Sequence, residues 1–303
     1  MDYFKFVDMN SKMKSFLPDE LKVPELHGHL LGAIGPRPIA FASTISKDGN
    51  PNLSPYSFFN VFSANPPIMI FSPARRVRNN TTKHTLINCE ETKEVVINVV
   101  NYDIVQQMSL SSTEYPEGVN EFEKSGLTML KSDIVKPYRV KESPVQFECK
   151  VKDIIKLGKE GGAGNLIISE VVKFHVAKEL FDEFGKIDQY KIDQVARMGG
   201  SWYTRANRGM FEVPKPLSKL GIGIDQMPNE VKFSEFLNGN DLGKLGNTEA
   251  LPNSTAIEEF LKAENLKEFI NKSNKEELHL KAQDYLKSDD IFAAWCILLS
   301  KKL

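Results

Sequence analysis

Arg75, Arg76, Arg78 and Lys83 put four fixed positive charges into one short stretch, and nothing nearby in the sequence cancels them. From Gly49 through Cys89 there is no Asp or Glu, although acids make up 40 of 303 residues and would average about five over such a window. The same window holds Ser54, Ser57, Asn60, Ser72 and the run "NNTTKHT". Helix starts expose unpaired backbone N–H groups and a positive dipole end, so they favour anions. Thr82-Lys83-His84-Thr85 sets hydroxyls, an ammonium and such N–H groups at one expected helix start, a suitable cradle for a phosphate. Upstream, hydroxyls, amides and the aromatics Tyr56, Phe58, Phe59 and Phe62 suit a flat heterocycle carrying a polyol. The plainer alternative is a solvated basic loop, with Thr82 as a helix cap and the aromatics as core.

Other chemistries find less support. His27 and His29 in "HGH" could ligate a metal from one strand face, but no partner ligand is identifiable, so no metal site is expected. "GKEGGAG" (158–164) does not fit GxxxxGK[ST] and lies between two expected strands, where it reads as a hairpin turn. GxSxG, HExxH and GxGxxG are absent. Cys89 reads as structural, and Asp182 with Glu183 as solvated surface. A chain with an anion cradle and no nucleophile–base motif suits a bound cofactor that carries its own redox chemistry.

Bulk properties are those of a soluble globular protein, 41% hydrophobic and 26% charged. A net charge of -1 offers no global field for nucleic acid or an anionic membrane. Apolar runs such as "VVINVV" (95–100) are far shorter than the ~20 residues of a bilayer span. The N-terminus lacks the apolar core of a signal peptide, and three scattered cysteines suggest neither a disulfide framework nor a CxxC site. A cytoplasmic location is the expectation.

The elements that must position the cradle follow from periodicity. Residues 38–46 alternate Ile39, Phe41 and Ile45 with Ala40, Ala42 and Thr44, which predicts a half-buried strand closed by the turn Asp48-Gly49. Further strands are expected at 54–63, 68–72 and 95–100, and a long hairpin at 145–157 and 165–176. Helices are expected at 82–93, with Thr82 as N-cap, at 101–112 and at 118–126. Six or more strands with few long helices between them favour an antiparallel barrel or sandwich. "FEVPKPLSKLG" (211–221) reads as a linker, followed by loop-like, Gly- and Asn-rich segments and helical patterns at 253–273 and 275–302. The organisation expected is an N-terminal segment at 1–24, a β-domain at 25–212, and a linker with helical extension at 213–303. The apolar faces of that extension, with Phe260, Leu261, Trp295 and Leu299, are expected to dock on the barrel or on another subunit.

"GPRPIAFASTISKDGNPNLSPYSFFNVFSANPPIMIFS", "KHTLINCEETKEVVINVV" and "ARMGGSWY" (196–203) together resemble the flavin reductase-like, flavoredoxin-like proteins with the FMN-binding split β-barrel. The likeness covers roughly residues 25–205. It implies a mainly β Greek-key barrel, with interspersed helices, that binds FMN non-covalently at a homodimer interface. It implies that Arg37, Pro38 and Ile39 lie near the ring system, with Ser43 and Thr44 in hydrogen-bonding reach of it. Ser54, Pro55, Tyr56 and Ser57 would line the ring and ribityl chain, and Ser72, Lys83 and Thr85 would approach the phosphate. Arg197 and Tyr203 match a segment that closes the domain. The family commonly has Asp between Lys and Thr where this chain has His84. The function implied is an oxidoreductase that passes electrons from NADH or NADPH through FMN to a flavin, metal or protein acceptor, the flavin carrying the chemistry. The alternative is a flavin-binding or electron-carrier protein without nicotinamide turnover.

Overall fold

The computed structural model describes residues 13–116, 118–213 and 220–302. It divides into two compact units, Met1–Met210 and Phe211–Leu303. No described helix is long and apolar enough to cross a membrane.

The first unit is built on an antiparallel sheet of seven strands. In chain order these are β1 (Ala40–Ile45), β2 (Pro51–Tyr56), β3 (Phe59–Ala64), β4 (Pro67–Phe71), β5 (Glu94–Asn98), β8 (Val145–Lys156) and β9 (Asn165–Val176). Two short pairs stand apart, β6 (Met129–Leu130) with β7 (Arg139–Val140), and β10 (Val195–Arg197) with β11 (Tyr203–Arg205). The main sheet runs β2-β1-β5-β8-β9-β4-β3. The mainly β expectation therefore holds, but hydrogen bonding does not close the sheet into a barrel, because β2 and β3 remain its edges. The expected strand at 54–63 is two strands, β2 and β3, separated by a bend at Ser57 and Phe58. The β8–β9 hairpin is long, and register shifts at Glu148/Cys149 and Val151/Asp153 break its ladder; such bulges bend a sheet.

β1 is buried on both faces rather than half-buried. Ile39 and Phe41 join Leu53, Ile104, Met108 and Phe122 in one cluster. Ala40 and Ala42 face another, with Tyr56, Phe71, Val95 and Ile97. The small face is covered by α2 (His84–Thr92), whose Leu86 and Cys89 join that second cluster. Small residues on a strand let a helix pack close, so alternation of size rather than of polarity marks a strand lying between two cores. Three more helices belong to this unit: α1 (Val23–Ala33), α3 (Val105–Leu110) and α4 (Glu121–Ser125).

Among the described residues of the second unit the regular elements are helices: α5 (Asn229–Lys232), α6 (Gly239–Gly246), α7 (Ser254–Ala263), α8 (Lys267–Lys272), α9 (Lys275–Lys287) and α10 (Ile291–Leu299). Asn238, Asn253, Asn274 and Asp290 cap α6, α7, α9 and α10 by accepting backbone N–H groups. The expected long helices break at Asn265 and Asp289, which take φ of 54° and 58°. Asn and Asp tolerate that left-handed region better than most residues. The extension also differs from a helical hairpin in need of a host. Segment 239–246, expected as loop, is a helix, and Leu245 joins Leu261, Trp295 and Leu299 in a core internal to the unit, with Phe260 packed against it. The Trp295 indole N–H donates to the Leu245 carbonyl at 3.2 Å. Trp295→Ala should cost about 3–5 kcal/mol, the range for a large core aromatic. Hydrogen exchange should then show amides of α6 and α10 losing protection while those of β8 and β9 keep theirs. Equal loss in both sets would show that the units do not fold separately.

Candidate functional site

A cavity of ≈ 450 Å³ opens beside β2, within the usual range for small-molecule sites. Ser54, Pro55 and Tyr56 of β2 form one wall, continued by Ser57 and Phe58 of the following bend. Ser72 and Ala74, just after β4, and Lys83, at the start of α2, form another. Arg37 and Ile39 enter from the segment before β1, and Arg197 and Tyr203 from β10 and β11. His27 and Leu31 of α1 and Met108 of α3 complete it, with Ser112.

Local structure explains how each wall is held. Ser72 donates its backbone N–H to the Phe58 carbonyl at 2.9 Å, and its Oγ accepts the Asn165 N–H at 3.0 Å. The tip of the β8–β9 hairpin braces the arginine loop. The Arg75 N–H donates to the Ala163 carbonyl and the Gly162 N–H to the Arg75 carbonyl. A Cβ on Gly161 would lie 3.0 Å from the Val77 backbone, and one on Gly164 only 2.8 Å from Ser72 Oγ, so both positions need glycine for close approach. Arg37 and Arg197 exchange backbone hydrogen bonds at 2.8 and 2.9 Å, which brings two guanidinium-bearing residues together from distant parts of the chain. The Arg37 guanidinium donates to the carbonyls of Leu31, Ile34 and Met198, tying down the C-terminal end of α1. Burial and then the neighbouring Arg197 lower its pKa.

Lys83 is the N-cap residue of α2, in extended conformation, and it takes the position expected for Thr82. Its pKa is lowered by burial first, then by Arg76 and Arg78. One acid from outside the acid-free window reaches this cluster. Glu114 pairs with Arg76 at 3.2 Å, with Arg78, and more distantly with Lys83 at 3.9 Å. A recess of ≈ 20 Å³ shares Ser54, Tyr56, Lys83 and Ser112 with the main cavity and also meets Thr85, Glu114 and Glu121.

The residues expected from sequence thus separate into two groups. Arg37, Ile39, Ser54, Pro55, Tyr56, Ser57, Ser72 and Lys83 line one cavity. Pro38, Ser43, Thr44 and Thr85 do not. Ser43 and Thr44 are fully buried in β1, and Thr85 is buried in the first turn of α2. Thr44 and Thr85 carry a buried network of hydrogen bonds. Thr44 Oγ1 accepts from Asn52 Nδ2 at 3.2 Å and Asn88 Nδ2 at 3.0 Å. Thr85 Oγ1 accepts from Asn52 Nδ2 and from the Tyr56 hydroxyl, each at 2.9 Å. Burial pushes the Tyr56 phenol up to about 12 despite that hydrogen bond, so it is a neutral wall group at ordinary pH.

Sequence reasoning missed Leu31, Ala74, Met108 and Ser112, which carry no chemical signature, and weighed His27 only as a metal ligand. His27 instead meets Phe58 edge-on, 6.2 Å between centroids. Among the described residues, the metal-type side chains that do converge are Asp133, Glu148 and His175. Glu148 there accepts the backbone N–H groups of Asp133, Ile134 and Val135 and contacts His175 Nε2 at 2.8 Å, which accounts for its burial as a structural hub.

Known proteins resemble the first unit. The family model described as "Flavin reductase like domain" matches residues 33–192, just over half of the chain. An uncharacterized protein of Halalkalibacterium halodurans, BH2278, is 39% identical over 201 residues, covering 66% of this chain and 95% of that protein. Among solved structures, nitrilotriacetate monooxygenase component B from Bacillus cereus superposes with a TM-score of 0.62 at 32% identity, covering 66% of this chain and 98% of that one. A Shewanella frigidimarina protein with a "split barrel domain" gives a TM-score of 0.57 at 27% identity, covering 67% of this chain and 99% of that one.

The buried network makes its own prediction. Thr85→Val orphans the Tyr56 hydroxyl and one Asn52 contact and should lower stability by about 1–3 kcal/mol. In a Tyr56→Phe background the loss should shrink, because one orphaned donor is gone. Urea denaturation of the four proteins tests this, and additive losses would dissolve the network.

Proposed function

The chain belongs to the flavin reductase-like family, and on that premise we propose that it is a flavin-dependent oxidoreductase holding FMN non-covalently in the cavity beside β2. One observation carries the proposal. The cavity wall has no Asp or Glu yet gathers Arg37, Lys83 and Arg197, in a protein whose net charge is -1. Burial and two arginines make the Lys83 ammonium costly, and a bound phosphate would offset that cost. The hydroxyls of Ser54 and Ser57 suit a polyol, and Tyr56, Phe58 and Pro55 suit a planar ring. No side chain here needs to act as nucleophile; bound FMN would supply hydride acceptance and electron transfer. The residues' own tasks are anchoring, orientation and exclusion of water. NADH or NADPH is the reductant of this reading, and a flavin, metal centre or protein the acceptor, with a cytoplasmic location.

We further propose that the working form is a homodimer. The edge strand β3 leaves Val61 57% and Phe62 63% exposed, and Phe174 on β9 is 60% exposed. An apolar unpaired edge is a liability unless something covers it. Light scattering should give twice the 34.2 kDa chain mass, and Phe62→Glu should shift the species toward monomer. A wild-type monomer with flavin bound would sink this part.

For the flavin itself, titration with FMN should shift its visible absorption, and the loaded protein should oxidise NADH or NADPH. Loss of a charge-assisted hydrogen bond of about 1.5–3 kcal/mol predicts that Lys83→Ala weakens FMN roughly ten- to a hundredfold. Riboflavin, which lacks the phosphate, should be nearly unaffected. The sign of the pH dependence follows from the lowered Lys83 pKa. Phosphate binding raises that pKa again, so FMN binding takes up protons in the alkaline range and weakens as pH rises through the free-protein value. No spectral change at about 50 µM flavin would overturn the reading; flavin binding without nicotinamide oxidation would make the protein an electron carrier.

A further inference from the structure

A second cavity of ≈ 480 Å³ adjoins the first, and the two share Ser112, Arg197 and Tyr203. Its own wall includes Tyr102, Gln106 and Ser109 on one side and Ser201, Thr204 and Arg205 on the other. Neither cavity has an aspartate or glutamate in its wall, while together they hold Arg37, Lys83, Arg197 and Arg205. Low-dielectric walls of one sign focus the field of such charges into the space between them.

Three of the four cations are already engaged. Arg37 donates to three backbone carbonyls. Lys83 lies 3.9 Å from Glu114. Arg205 forms a two-pronged pair with Asp193, Nε to Oδ1 at 2.7 Å and Nη2 to Oδ2 at 2.5 Å, and stacks 4.0 Å over the Tyr102 ring. Arg197 differs. Its Nη1 donates to the Tyr203 hydroxyl and its Nη2 to the Gly200 carbonyl, both neutral acceptors, and no described carboxylate pairs with it. These contacts use two of its five N–H donors and hold the guanidinium 4.7 Å from the Tyr203 ring centroid, in the wall the two cavities share, and its other three donors have no hydrogen-bond partner among the described residues.

A pre-oriented guanidinium fork with free donors, no counter-charge and an aromatic backing matches the geometry of a carboxylate or phosphate. We propose that the second cavity is an oxyanion site for the second reactant, a carboxylate- or phosphate-bearing co-substrate, and that Arg197 is the group that holds it. The hydroxyls of Ser109, Ser112, Ser201 and Thr204 supply further donors, and the Tyr102 and Tyr203 rings an apolar flank. Because Arg197 also belongs to the wall of the first cavity, the anion it holds keeps the rest of its molecule next to the flavin. The term "second reactant" rests on the flavin reading above; the anion site itself does not.

Two probes separate the sources of the anion: benzoate, a planar carboxylate, and ADP-ribose, a diphosphate without a reducible ring. Each is titrated calorimetrically into the full-length protein with and without FMN. At least one should bind saturably, and Arg197→Met should weaken it about tenfold or more, with Arg197→Lys recovering part of the loss. Ser109→Glu, which leaves every Arg197 contact in place, should weaken the same probe by placing a like charge in the cavity, while FMN affinity changes less than about threefold. This variant keeps the test decisive if Arg197→Met does not fold. Saturation by benzoate assigns a carboxylate co-substrate, and saturation by ADP-ribose a phosphate-bearing one. If neither probe saturates by about 10 mM, or if binding is indifferent to both positions, the proposal is overturned and Arg197 only ties the β10–β11 turn. Probe binding in a protein that rejects FMN would sink the flavin reading and leave the anion site standing; the reverse result would do the opposite.

Discussion

Polar atoms buried beneath a cavity must find partners inside the protein, and the site depends on how Thr44, Asn52, Tyr56, Thr85 and Asn88 meet that demand. Five side chains from β1, β2 and α2 satisfy one another where water does not reach. Each unmade bond would cost the desolvation of its group, so the register of β1 against β2 and the rotation of α2 are coupled. Tyr56 is thereby fixed as a wall, and Lys83, two residues before Thr85, is set at the start of the helix. The hydroxyls of Thr44 and Thr85 thus hold the frame on which the cavity wall is built.

Charge is arranged on the same local scale. The chain as a whole is nearly neutral, yet two adjoining cavities are walled without a carboxylate. Glu114, from outside the acid-free window, pairs with Arg76 and Arg78 and offsets part of the charge of the arginine loop. The loop is steadied by the β8–β9 hairpin tip, where Gly161 lets the backbone of Val77 come close and Gly164 leaves room for the Ser72 hydroxyl. Glycines that resembled a phosphate loop in composition thus serve by packing against the arginine loop and Ser72.

The second unit obeys a different economy. Its helices are short and individually marginal, and each of four is started by an Asn or Asp cap. What stabilises them is a common core around Trp295, Leu245 and Leu261. The match to the flavin reductase-like family ends at residue 192, so this unit lies outside it.

Periodicity in the amino-acid sequence was enough for the long β8–β9 hairpin, for β1 and for the helical character of the C-terminal region, because each is a local pattern of apolar spacing. The missing acids between Gly49 and Cys89 likewise marked the arginine loop and Lys83, since absence of counter-charge is itself a compositional fact, but not Arg37 or Arg197, the other two cations of the cavity wall. Where the chain breaks its helices was less visible, as Asn265 and Asp289 reveal their left-handed turns only in context. Tertiary structure alone decided which hydroxyls face inward. Ser43 and Thr44 sit on a strand whose two faces are both covered, and a period of two cannot distinguish a covered face from an open one. It alone brought Arg197 beside Arg37 and Glu114 beside Arg76, because residues so distant in the chain meet only through backbone pairing and packing that no local pattern encodes.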